Sequence, residues 1–105
     1  MNVLFVCSRN KWRSRTAETI FRDSQQHVIR SAGTGNDARI KVNEKLIAWA
    51  QLIFVMEKRH KLRLQEKFGD LLQDKSIITL DIEDNYHYMD EELIRILRTS
   101  VEPYL

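Results

Sequence analysis

The feature that most limits what this chain can become is a fourfold alternation of short apolar runs with longer amphipathic segments. Asn2–Cys7 contains Val, Leu, Phe and Val without a polar break, the pattern of a strand covered on both faces in a parallel sheet. His27–Ala32 is a shorter second run, closed by the turn formers Gly33, Gly35, Asn36 and Asp37. Leu52–Met56 and Ser76–Ile82 supply the third and fourth. Between the first two, Ser14 to about Ser24 sets Ala17, Ile20 and Phe21 at helical spacing, with Ser14 able to cap the first turn. Asn43–Ala50 carries a stripe of Leu46, Ile47, Trp49 and Ala50. Glu57–Phe68 is charged, with Leu62, Leu64 and Phe68 as its buried contacts, and stops at Gly69, where a left-handed cap is easiest. A last helix from about Asp90 to Val101 turns Leu93, Ile94 and Leu97 inward and ends before Pro103.

Strands alternating with helices imply an α/β fold: a three-layer sandwich with a four-stranded parallel sheet, order 2-1-3-4, and helices on both faces. Its 105 residues suit one core, so 1–105 is expected to be a single domain. In such sheets the ligand site lies beyond the carboxyl ends of the strands. Cys7 ends the first strand and Asp81–Asp84 end the fourth, so both open on one rim.

Charge says little in total and more in its distribution. A net +2 argues for neither nucleic acid nor membrane, but Arg9, Lys11, Arg13, Arg15, Arg22 and Arg30 crowd the front of the chain while Asp81, Glu83, Asp84, Asp90, Glu91 and Glu92 gather late. The front end favours an anion. One cysteine forms no internal disulfide, and the sequence offers neither a membrane-spanning run nor a signal-peptide pattern, so a cytoplasmic protein is expected. His27, His60 and His87 stand too far apart for metal-ligand spacing, and no metal site or cofactor is expected.

The segment Cys7-Ser8-Arg9-Asn10-Lys11-Trp12-Arg13-Ser14 joins a strand to a helix, where successive backbone N–H groups can turn toward one anion. Amides, helix start and the Arg13 guanidinium would then converge on the Cys7 sulfur, surroundings in which a cysteine serves as a nucleophile. Arg13, six positions after Cys7, can grip two oxygens of a phosphoryl group with its planar fork. Ser14 can donate its hydroxyl to the sulfur, and Asn10 suits a left-handed turn in mid-loop. A leaving oxygen needs a proton, for which Asp81, Glu83 and Asp84 are all candidates by position.

These residues resemble the low-molecular-weight protein tyrosine phosphatases. Cys7, Asn10, Arg13 and Ser14 match that family's loop, Ser31-Ala32-Gly33-Thr34 its segment after strand two, and Ala50–Met56 its apolar strand ending in Met. Asp81-Ile82-Glu83-Asp84-Asn85-Tyr86 is similar to the late segment with the family's Asp-Pro-Tyr. The resemblance implies a phosphocysteine intermediate on Cys7, phosphate bound by the loop from Ser8 to Ser14, Asp84 as general acid with Asp81 as its rival, and Tyr86 beside the substrate; Trp12, from its own place in the loop, either stacks on a substrate ring or packs on the first helix. Phosphorylated protein or a small phosphate ester would be the partner. Departures are Arg15 and Asn85 in place of Pro, Trp12 in place of a second loop cysteine, Lys11 at a usually aliphatic pocket position, and a shorter stretch between Thr34 and Ala50.

Three rivals share the fold. Thioredoxin-coupled arsenate reduction needs further cysteines, and Cys7 stands alone, leaving a version served by external thiols. A phosphocysteine carrier has no need of Arg13. A non-catalytic module could bind phosphoprotein or RNA through Arg9, Lys11, Trp12 and Arg13, although one short loop is a small footprint for nucleic acid.

Overall fold

In a computed structural model describing residues 1–105, four parallel strands, β1 (Asn2–Cys7), β2 (Val28–Gly33), β3 (Leu52–Val55) and β4 (Ser76–Thr79), lie in the order β2-β1-β3-β4. Four helices connect or follow them: α1 (Arg13–Phe21), α2 (Glu44–Trp49), α3 (Lys58–Phe68) and α4 (Glu91–Val101). The expected order and parallel sense are those observed.

Side-chain alternation along each strand divides the core in two. Val3, Phe5, Cys7, Leu52, Phe54 and Met56 face Ala17 and Phe21 of α1 and Leu93, Leu97 and Val101 of α4. Leu4, Val6, Ile53 and Val55 face Ile47 of α2 and Leu64 of α3. Burial on both faces explains why Val3–Val6 and Leu52–Val55 hold no polar residue, and each fully buried large apolar side chain contributes about 1.5–3 kcal/mol. Phe5 stacks between Phe21 and Phe54, with ring centroids 5.8 and 5.1 Å away. The same alternation carries Cys7 onto the α1 face at the point where α1 begins.

Several local expectations need correction. Trp12, not Ser14, occupies the position before α1; Ser14 lies inside the helix with its hydroxyl turned to the sheet. Helix α1 stops at Phe21, short of Ser24. Gly69 is right-handed (φ −44°, ψ −47°), because the chain tightens there into a 3₁₀ turn, Gly69–Leu72, instead of reversing. Leu62 is 53% exposed; Leu64 and His60 are the buried positions of α3. Ile94 is only half-buried, while Ile96 packs on the core. Strand β4 ends at Thr79, short of Ile82; α4 ends at Val101, before Pro103, which lies inside a short 3₁₀ turn, Glu102–Tyr104. Capping is side-chain driven at α2, where Asn43 accepts from the Leu46 amide, and at α4, where Asp90 accepts from those of Glu92 and Leu93.

Candidate active site

Strand β1 ends at Cys7 and α1 starts at Arg13, so the five residues between them must turn tightly. Asn10 makes the turn with φ 54°, a conformation Asn tolerates. Its buried Nδ2 donates to Ser14 Oγ and Ser31 Oγ, each at 2.8 Å, tying the loop to α1 and β2. Ser31 in turn donates to Glu18. The Ser14 hydroxyl, accepting from Asn10, lies 2.9 Å from Cys7 Sγ and 3.4 Å from the Ala32 carbonyl oxygen, so its one hydrogen can be given to either. Asn10 Oδ1 is buried without a partner, and nothing in the structure explains it. Gly33 is required by proximity: a Cβ there would lie 2.6 Å from the Ser8 carbonyl oxygen and 2.9 Å from the Asn10 nitrogen.

Arg13 is 2% exposed and held from three sides. Its Nη1 donates to Glu57 Oε1 at 2.5 Å and to the Ile82 carbonyl at 2.8 Å, and its Nε lies 3.6 Å from Asp84 Oδ1. Glu57 follows β3, Ile82 follows β4, and both lie on the rim that carries Cys7. Partial burial pushes the Glu57 carboxyl up, but hydrogen bonds from Arg59 and Arg13 and their charges outweigh it and hold it below its usual value.

Glu57 also starts α3 in a capping box. His60, 1% exposed, accepts the Glu57 amide on Nδ1 at 3.0 Å, and its Nε2 lies 2.9 Å from Ser8 Oγ. Burial, then the charges of Arg13 and Arg59, lower its pKa to about 4. The unfolded chain binds this proton near pH 6.5 and the folded chain only near 4, so the neutral ring stabilises the fold at neutral pH and that stability is lost as pH falls between those values. Between pH 7 and 5, above the range in which Glu57 titrates, unfolding free energy should fall by about 2 kcal/mol. Urea titrations of wild type and His60→Gln check this; an equal pH slope in both proteins would show that His60 is not its source.

Cys7, Ser8, Arg9, Lys11, Trp12, Arg13 and Asp84 line a cup of about 40 Å³. Where one water needs roughly 10–15 Å³, that admits a compact anion and leaves an ester's organic part at the mouth. A larger open groove, about 550 Å³, lies at the far end of α3 around Glu44 and residues 65–71, and holds no nucleophile.

The fold is shared with several solved structures. SP-PTP, a low molecular weight protein tyrosine phosphatase from Streptococcus pyogenes, superposes with TM-score 0.80 at 18% identity, over 99% of this chain and 90% of that one. Wzb from Vibrio vulnificus in complex with benzylphosphonate gives 0.78 at 18%, over 98% and 95%. The YwlE arginine phosphatase from Geobacillus stearothermophilus gives 0.72 at 21%, over 97% and 86%. No protein of curated description matches. Residues 2–51, holding β1, the loop, α1, β2 and α2, match the family model described as low molecular weight phosphotyrosine protein phosphatase. Over that first part of the chain, the sequence is similar to that family.

Cys7 and Arg13 both fall within the matched stretch and both line the cup. Asp84, 48% exposed, lines the cup, whereas Asp81, with φ 56°, lines a separate open groove with Glu57, Lys58, Arg59 and Glu83. Lys11 stands at the mouth, its Nζ 5.3 Å from the Trp12 ring centroid, and Trp12 meets His87 edge-on at 5.0 Å. Tyr86 is not brought to the cup: it leans on the α4-side core. Arg9 pairs with Asp37, and Arg15 lies over Tyr88. Sequence reading missed Glu57 and His60; the position of Glu57 immediately after a buried strand was the available signal, since the ends of β1 and β3 share one rim.

Proposed function

We propose that the protein hydrolyses phosphate monoesters as a tyrosine-type protein phosphatase in the cytoplasm, through a phosphocysteine on Cys7. The observation that supports this most directly is the meeting of Cys7, Arg13 and Asp84 on one anion-sized cup. The Cys7 sulfur attacks phosphorus in line as the ester P–O bond breaks, and Asp84 gives its proton to the leaving oxygen. Loop amides and the Arg13 fork stabilise the equatorial oxygens. Asp84 then takes a proton from water, whose oxygen displaces sulfur and releases phosphate, while Ser14 donates a hydrogen bond to the departing sulfur. These steps need no metal or organic cofactor.

A second reading, phosphoarginine hydrolysis, is raised by the arginine phosphatase fold neighbour. Lys11 opposes it here, because a protonated amine at the mouth repels a cationic leaving group. A panel of a tyrosine-phosphorylated peptide, an arginine-phosphorylated peptide and an ester of an acidic phenol tests both points. Wild type should turn over the tyrosine peptide faster than the arginine peptide. Asp84→Asn should lower kcat roughly 100-fold on the tyrosine peptide and much less on the acidic phenol, with Asp81→Asn within about twofold of wild type. If Asp81→Asn alone loses leaving-group assistance, the acid is Asp81.

A further inference from the structure

Ser8 and His60 lie outside the displacement steps, yet they form a defined donor chain that ends at the cup. The Glu57 amide donates to His60 Nδ1, which must therefore carry a lone pair. A neutral imidazole with its lone pair on Nδ1 carries its hydrogen on Nε2, and the lowered basicity of the buried ring keeps it neutral. His60 Nε2–H consequently donates to Ser8 Oγ across 2.9 Å. The bond fills an acceptor lone pair of the hydroxyl and leaves its hydrogen without a protein acceptor. Ser8 lines the cup beside Cys7 and Arg13.

We propose that His60 is a positioning residue that turns the Ser8 hydroxyl hydrogen toward the cup, making Ser8 a side-chain donor to the bound phosphoryl oxygens. It rests on the anion-binding part of the phosphatase reading and deepens it. The device arises from two strands: Ser8 follows β1 and His60 lies in the first turn of the helix after β3, so adjacent parallel strands bring them together. It also links the α3 cap to anion affinity.

Tungstate and inorganic phosphate serve as probes, measured by calorimetry on wild type, Ser8→Ala, Ser8→Thr, His60→Gln, His60→Ala and the Ser8→Ala/His60→Ala double variant. A hydrogen bond to a charged oxygen predicts roughly tenfold weaker binding for Ser8→Ala, with recovery in Ser8→Thr. His60→Ala should weaken binding in the wild-type background and add nothing once Ser8 is Ala. Equal effects of His60→Ala in both backgrounds would make His60 a structural residue only, and unchanged affinity in Ser8→Ala would overturn the proposal. Should His60→Ala fail to fold, the comparison of Ser8→Ala with Ser8→Thr carries the test, and His60→Gln, which can keep the capping box, replaces it in the cycle. Turnover is assayed separately with p-nitrophenyl phosphate. A wild type that binds tungstate in this pattern but hydrolyses nothing sinks the phosphatase reading and leaves the donor chain standing.

Discussion

Replacing Cys7 by Ser should abolish steady-state hydrolysis of p-nitrophenyl phosphate, by on the order of 10⁴-fold or more in kcat, while leaving the fold and tungstate affinity nearly intact. Removal of a nucleophile acts on that scale because no other group reaches the phosphorus. The substitution is conservative in packing: Cys7 is buried at the end of β1 under the start of α1, and a hydroxyl there can keep the bond to Ser14. Loss of turnover with retained anion binding therefore isolates chemistry from structure. A variant that still turns over at a rate within about tenfold of wild type would move the nucleophile elsewhere.

Arg13 should show the second-largest effect, and its two replacements should separate two roles. Arg13→Lys keeps a positive charge but loses the planar fork, so kcat/KM should fall roughly 1,000-fold, within the range known for residues that stabilise charge in phosphoryl transfer. Arg13→Ala removes the same interactions and also leaves the Glu57 carboxylate without its buried partner. Glu57 keeps Arg59 at 2.9 Å and is 29% exposed, so the stability loss is held to roughly 2–3 kcal/mol, below that of a fully buried broken pair. Thermal melting and steady-state kinetics on both variants check this; a Lys variant as active as wild type would show that charge alone suffices.

The strands and the loop were legible in the sequence because each is a local pattern. Val3–Val6 and Leu52–Met56 are apolar on consecutive positions, which only double-sided burial explains, and the Cys7–Ser14 spacing follows directly from the end of β1. The residues misjudged are those whose fate depends on distant neighbours. Ser14 has the chemistry of a helix cap, but Cys7 Sγ and the Ala32 carbonyl lie within its reach and compete successfully for the hydroxyl. Gly69 does end α3, but its expected left-handed cap gives way to right-handed geometry because the following residues form a tight 3₁₀ turn that buries Leu72. His60 sits in a charged stretch with no sign of burial; its role is set by the register of β3 beside β1, where the Met56 amide donates to the Val6 carbonyl and brings the start of α3 against the loop. Tyr86 was assigned to the pocket from a resemblance in a segment where Asn85 replaces the usual Pro, and its ring turns to the core instead.

The most direct test of the account is to catch the phosphoryl group on its way through. Enzyme mixed with a radiolabelled aryl phosphate, quenched in acid within milliseconds and digested, should yield label on the peptide carrying Cys7, with the chemical stability of an S–P bond and at a level approaching one group per chain. Hydrolysis that proceeds at full rate with no label on that peptide, or with label on another residue, would contradict a phosphocysteine mechanism.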